Sequence, residues 1–280
     1  MTCQGVYSLV TEMLRARALR VIALEIAMLI KEDTVDLATP TGLMRTYRFL
    51  PAAPGAYPGL LLFCEIYQIT GPVQRMARIL ASQGYIVMAP EIYHEFEPLG
   101  TPFQYNQTDT DKGNRYKYEK NLSAYDSDAR TALDYLHALP ECTGKLGSIG
   151  ICLGGHLSFR AAMNPDVLAG ACFYATDMHE RSLGKGKNDN SLARVAEIRG
   201  EMLMIWGRQD PHIPRAGREL IYKTMSDADV NFTWHEFNAQ HAFMRDEGYR
   251  YDPALAQICY AMVFDLFHRR LQIGQPLEDL

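Results

Sequence analysis

Gly150-Ile151-Cys152-Leu153-Gly154-Gly155 sets one cysteine between a short apolar run and a glycine-rich helix start. In a G-x-nucleophile-x-G turn, a strained backbone lifts the reactive side chain above the edge of a sheet, and glycine is needed where a Cβ would strike neighbouring chain. The pattern therefore demands a strand, a sharp turn and a helix in succession. Here the presented atom is sulfur. The helix expected from Leu153 aims free N–H groups and the positive end of its dipole at that sulfur, which favours thiolate over thiol. The competing reading is a buried structural cysteine between flexible glycines, and residues further along the chain decide between the two.

Strand-like and helix-like runs alternate from Asp33 onward, the signature of an α/β sheet. Candidate strands cover 34–38, 44–50, 59–64, 85–89, 146–151, 168–174, 202–206 and 231–237, and candidate helices 73–83, 121–139, 153–163, 216–225 and 253–271. The unbroken apolar runs at 59–64 and 168–174 suit central parallel strands buried on both faces. Residues 96–120 are polar, tyrosine-rich and without usable periodicity. Because they follow a strand whose carboxyl end should face the site, they read as a lid or pocket wall.

A chain of 280 residues with 48% hydrophobic and 22% charged side chains suits one large globular domain with an appendage. The net charge of −5 offers no basic field for nucleic acid. No two of the six cysteines have C-x-x-C spacing, which argues against zinc ribbons and thioredoxin-type sites and suits a reducing, cytoplasmic setting. Residues 21–30 form an apolar run after Arg15, Arg17 and Arg20, but Glu25 interrupts it and Lys31-Glu32-Asp33 comes directly after, so neither a signal peptide nor a membrane span is expected. Residues 1–32 read instead as a helical extension, with Val6, Val10, Met13 and Leu14 on one face, and 33–280 as a single domain. The extension's apolar surface needs a cover, which makes a homodimer through this helix the expected assembly.

A cysteine nucleophile needs a base to carry its proton and an acid to orient that base. Gly207-Arg208-Gln209-Asp210-Pro211 follows one apolar strand, and Gln240-His241-Ala242-Phe243 follows the next. Nucleophile, acid, histidine is the chain order of α/β-hydrolases. His137, His235 and His268 sit on helices or within a strand, and His156 lies on the helix after the nucleophile, where its ring is expected to pack.

With these residues in place the chain resembles the dienelactone hydrolase family of α/β-hydrolases, from about Thr34 to Leu271. The resemblance is carried by Glu65-Ile66-Tyr67, Ala89-Pro90-Glu91-Ile92-Tyr93, the cysteine elbow, Gly207 to Pro211, and His241 to Arg245. It implies an α/β-hydrolase fold with a mostly parallel sheet of about eight strands, and a cofactor-free, metal-free hydrolase with Cys152, Asp210 and His241 as its triad. It also implies that Glu65 assists the cysteine, and that the backbone N–H groups of Leu153 and Ile66 form the oxyanion hole. The family's anion-binding members hold a substrate carboxylate with two arginines. One matches Arg245, but where the other is expected the chain reads Pro90-Glu91-Ile92-Tyr93-His94-Glu95. With Arg245, Tyr93 and Glu95 around the substrate, Glu95 would repel an anion or pair off Arg245, so neutral esters or lactones are the expected small-molecule substrates. Two rival functions use the same fold: hydrolysis of activated phosphotriesters by the same thiolate, and a non-catalytic ligand receptor.

Overall fold

The computed structural model describes residues 29–273. The helical extension expected over 1–32, and with it the expected dimer contact, lies outside the described residues except for its last positions, which are strand rather than helix. β1 (Ile30–Thr39) begins there and turns tightly into β2 (Gly42–Pro51). Their pairing sets Asp33 opposite Arg48 and Asp36 opposite Arg45, and each arginine grips its partner through two nitrogens. Opposite charges directly across a ladder stabilise the pairing and keep this edge unattractive to other strands.

The remaining strands are β3 (Tyr57–Phe63), β4 (Ile86–Pro90), β5 (Cys142–Ile151), β6 (Val167–Phe173), β7 (Glu201–Gly207) and β8 (Phe232–Phe237). Together they form one eight-stranded sheet in the order β1-β2-β4-β3-β5-β6-β7-β8. β1 and β2 pair antiparallel with their neighbours, and β4 through β8 run parallel. Leu60, Leu61 and Leu62 of β3 are fully buried, as are Ala169, Ala171 and Cys172 of β6. That is why these two strands read as unbroken apolar runs rather than alternating ones: helices cover both faces of the sheet.

All eight strands match the sequence reading within a few residues. The helices α1 (Gly71–Ser82), α3 (Leu122–Ala138), α4 (Leu153–Ala161), α5 (Arg215–Asp227) and α6 (Pro253–Phe267) do so too, the last running on into a π turn over His268–Ile273. The exception is α2 (Gln107–Glu119), which occupies the stretch without periodicity. It buries only Gly113, Tyr116 and Lys117, too few apolar groups to leave a stripe in the sequence. Its start is fixed by a cap instead: the Asn106 side chain accepts a hydrogen bond from the Asp109 N–H at 2.9 Å.

The chain leaves β3 for β4 on one side and returns through β5 on the other, so strand order reverses between β3 and β5. In open α/β sheets a crevice forms at the carboxyl ends of strands flanking such a reversal. Glu65 follows β3 and Cys152 follows β5.

Candidate active site

Cys152 sits between β5 and α4 with φ 58° and ψ −123°, a left-handed backbone that a side-chain-bearing residue adopts only at a cost. Neighbours enforce it. The Cys152 N–H donates to the Phe173 carbonyl at 3.0 Å, and α4 crosses so closely that a Cβ on Gly154 would collide with the carbonyls of Phe63 and Cys64. The cysteine is 9% exposed, and its small open surface faces a cavity of about 160 Å³. It occupies the N-cap of α4, so the first amides of that helix surround the sulfur. The N–H groups of Leu153 and Ile66 donate to no other group among the described residues.

His241 follows β8 and Asp210 follows β7. The imidazole Nδ1–H donates to Asp210 Oδ2 at 2.6 Å, and the other carboxylate oxygen accepts the His212 backbone N–H at 2.8 Å. With Nδ1 engaged, the second ring nitrogen is left free on the side of the cavity that Cys152 also lines. Burial pulls the His241 pKa down, but the charge on Cys152 and the hydrogen bond to Asp210 outweigh it and push it up to about 10. The Tyr174 ring, 4.9 Å from the imidazole and tilted edge-on, walls off its far side.

Glu65 reaches the same cavity from the end of β3 and is 2% exposed. Burial lifts its carboxyl above the ordinary range, against the opposing pull of Arg245 and His241. Its Oε2 lies 3.7 Å from Arg245 Nη1 and accepts from the Tyr105 hydroxyl at 3.4 Å. Arg245 in turn stands 4.3 Å over the Tyr105 ring. Thus the structure brings Cys152, His241, Asp210, Glu65, Ile66 and Arg245 to one place.

Two expected substrate contacts are elsewhere. Tyr93 is fully buried, donates its hydroxyl to the Gly113 carbonyl at 2.9 Å, and does not line the cavity. Glu95 also lies outside it: its carboxylate pairs with Lys120 Nζ at 2.7 Å, not with Arg245. The physical reason is the sheet order. β4 is one strand further from the reversal than β3, so the loop after it folds beneath α2 instead of into the crevice. There His94, Glu95 and Asp128 bring donor atoms within 4.8 Å of one another, a grouping suited to a cation, and Lys120 Nζ supplies the positive charge at 2.6 Å from Asp128.

Sequence reasoning missed other cavity residues. Thr110, Asn114 and Lys117 come from α2, the pocket wall expected over 96–120 but as an ordered helix. Lys117 grips both oxygens of Asp177, at 2.9 and 3.0 Å. His212 lies two residues after the acid, its ring centroid 4.7 Å from that of His241. Although the residue is exposed overall, burial of the ring beside His241, together with the charge of His241, holds its imidazole below the usual histidine range. Arg250 also lines the cavity; among the described residues no carboxylate lies within ion-pairing distance of it, and its Nε has no hydrogen-bond partner. The Asn106-x-x-Asp109 cap was a legible signal for α2. Arg250 had none.

No helix among the described residues is long and apolar enough to cross a membrane. A Saccharomyces cerevisiae protein provisionally named a carboxymethylenebutenolidase is 46% identical over 267 residues, covering 90% of this chain and 97% of its own. Carboxymethylenebutenolidase of Pseudomonas putida is 25% identical, covering 84% and 93%. Among solved structures, a provisionally named dienelactone hydrolase from Klebsiella pneumoniae superposes with TM-score 0.74 at 19% identity, covering 86% of this chain and 99% of that one. A dienelactone hydrolase-like promiscuous phosphotriesterase from metagenomic libraries gives TM-score 0.71 at 19% identity, covering 86% and 98%. The dienelactone hydrolase family model matches residues 44–271, and the chain belongs to that family of hydrolases.

Proposed function

We propose that the protein hydrolyses carboxylic esters or lactones through an acyl-thioester on Cys152. The observation that carries this reading is the 2.6 Å hydrogen bond from His241 to Asp210 beside a cavity that Cys152 and His241 line together. Cys152 Sγ attacks the carbonyl carbon, and the developing oxyanion accepts from the Leu153 and Ile66 N–H groups. His241, already protonated, gives its proton to the departing alkoxide as the carbon–oxygen bond breaks. The neutral imidazole then takes a proton from water, hydroxide attacks the thioester carbonyl, and the sulfur leaves as thiolate beside the restored imidazolium. Asp210 holds the ring and its tautomer throughout. Glu65, a buried carboxyl of raised pKa lining the same cavity, is a further group able to exchange a proton beside Cys152 and His241.

The expectation of neutral substrates rested on Glu95 facing Arg245, and Glu95 is held by Lys120. The cavity instead collects Arg245, Arg250 and Lys117. Glu65 stands beside Arg245 and Asp177 beside Lys117, while Arg250 has no such carboxylate. A substrate bearing its own carboxylate would supply one. The names of the yeast and Pseudomonas relatives describe a carboxymethylene-bearing butenolide, which supports the same class. The test is to compare kcat/KM for matched esters with and without a free carboxylate, with an aryl phosphotriester as a third arm, in wild type and Cys152→Ala. The reading expects the carboxylate ester to be preferred and both ester activities to vanish with the thiol. Preference for the neutral ester would refute the anion site, and turnover without the thiol would refute the mechanism.

A further inference from the structure

Helix α2 does more than close the cavity. Gly113 lies on its inner face, packed so tightly on the turn after β3 that a Cβ there would fall inside the van der Waals envelope of the Ile66 carbonyl oxygen and 3.0 Å from Ile66 Cβ. Glycine is a poor residue for a helix interior, and this one is not at a positive φ, so conformational freedom does not explain it. Close approach does. The same turn is bound to its surroundings at three further points. The Tyr67 hydroxyl and Thr110 Oγ1 of α2 share a hydrogen bond of 2.7 Å, the Phe103 N–H donates to the Tyr67 carbonyl at 3.0 Å, and the Tyr93 N–H donates to Gln68 Oε1 at 3.2 Å. Tyr93 closes the circle by donating its hydroxyl to the Gly113 carbonyl at 2.9 Å.

We propose that Gly113 is a positioning residue for the reaction: its bare Cα lets α2 press on the Ile66 carbonyl, and that contact fixes the Ile66 N–H where the oxyanion accepts from it. Tyr93, absent from the cavity, takes part by holding Gly113 against the turn. The inference rests on the thioester reading, because only carbonyl attack places an oxyanion at Ile66.

Two reactions of the same sulfur separate positioning from general damage. Alkylation by iodoacetamide forms a sulfur–carbon bond at a saturated carbon as iodide leaves, with no oxyanion, whereas acylation by a p-nitrophenyl ester needs the hole. In Gly113→Ala, kcat for the ester should fall on the order of 10²-fold with KM little changed, the size of effect seen when one oxyanion donor is lost, while the alkylation rate of Cys152 stays within about twofold of wild type. A folded Gly113→Ala protein with wild-type kcat would overturn the proposal, as would parallel loss of both reactions. Tyr93→Phe removes the bond to the Gly113 carbonyl without adding volume, and covers the case in which alanine prevents folding. It should lower kcat several-fold with alkylation unaffected, and an unchanged kcat would likewise overturn the proposal. Wild-type enzyme fully alkylated at Cys152 that still hydrolysed ester would refute the thioester reading instead.

Discussion

Asp210 binds His241 with one carboxylate oxygen and the backbone of its own loop with the other, so the imidazole is anchored to a group that cannot itself rotate. Loss of either reacting partner should therefore be far more damaging than loss of the anchor's charge. Cys152→Ala and His241→Ala should each lower kcat on the order of 10³-fold or more without unfolding the protein, and Asp210→Asn should retain more activity than either. Steady-state kinetics with circular dichroism checks the ranking. Full activity in His241→Ala would transfer the base role to another group, with His212 the nearest imidazole.

The charge on Cys152 is the largest influence raising the His241 pKa, ahead of its hydrogen bond to Asp210. Capping the sulfur with iodoacetamide removes that charge, so an NMR titration should find the imidazole pKa well below its free-enzyme value of about 10. The raised His241 pKa also leaves a stability signature. A group whose pKa is raised on folding contributes fully below its unfolded value, about 6.5 for histidine, and loses that contribution as pH climbs through the folded value. The melting temperature of the free enzyme relative to the alkylated one should accordingly fall as pH rises from about 6.5 toward about 10.

Glu65 has the opposite consequence for neutral pH. Burial raises its pKa despite Arg245 and His241, so the folded state binds the proton more tightly than the unfolded chain does. Its contribution is present below the unfolded value, about 4.3, and is lost as pH rises through the folded one. Glu65→Gln should therefore match wild type in melting temperature near pH 4, become the more stable protein at pH 8, and be slower in turnover. A variant less stable than wild type at pH 8 would mean that the Arg245 contact outweighs the cost of burying the charge.

Glu95 is held by Lys120 away from the cavity, and Arg250, which the sequence did not single out, lines it. Glu95→Arg would set a guanidinium against Lys120, which is fully buried and relies on Glu95 and Asp128. It should lower the melting temperature and leave the preference between carboxylate and neutral esters where it was. Arg250→Ala should reduce kcat/KM for the carboxylate ester by roughly tenfold or more, and for the neutral ester much less, consistent with loss of about 1.5–3 kcal/mol from a charge-assisted bond.

The sheet was legible because its central strands are buried on both faces and its turns carry glycine. Likewise the positions of Cys152, Asp210 and His241 around one cavity were legible because each follows a strand that the sequence marks. What escaped were side chains whose place depends on how loops fold across the strand ends. Nothing local to Tyr93 or Glu95 states that β4 lies beyond β3, and this is what turns both beneath α2. The helix itself hid because Gln107–Glu119 offers an N-cap and charged pairs such as Lys112–Glu97 in place of an apolar stripe. Arg250 is a cavity residue only because the chain after His241 doubles back over the site, a tertiary fact with no sequence period.

The most direct test of the account is to stop the reaction between its two halves. Rapid acid quench of the enzyme with a p-nitrophenyl ester, followed by intact-mass and peptide mass spectrometry, should show an increase equal to the acyl group, located on the peptide carrying Cys152 and removed by hydroxylamine. The adduct should be absent in Cys152→Ala. An acyl group on another residue, or turnover through a quench series that never captures an adduct on Cys152 while Cys152→Ala remains active, would contradict the thioester mechanism.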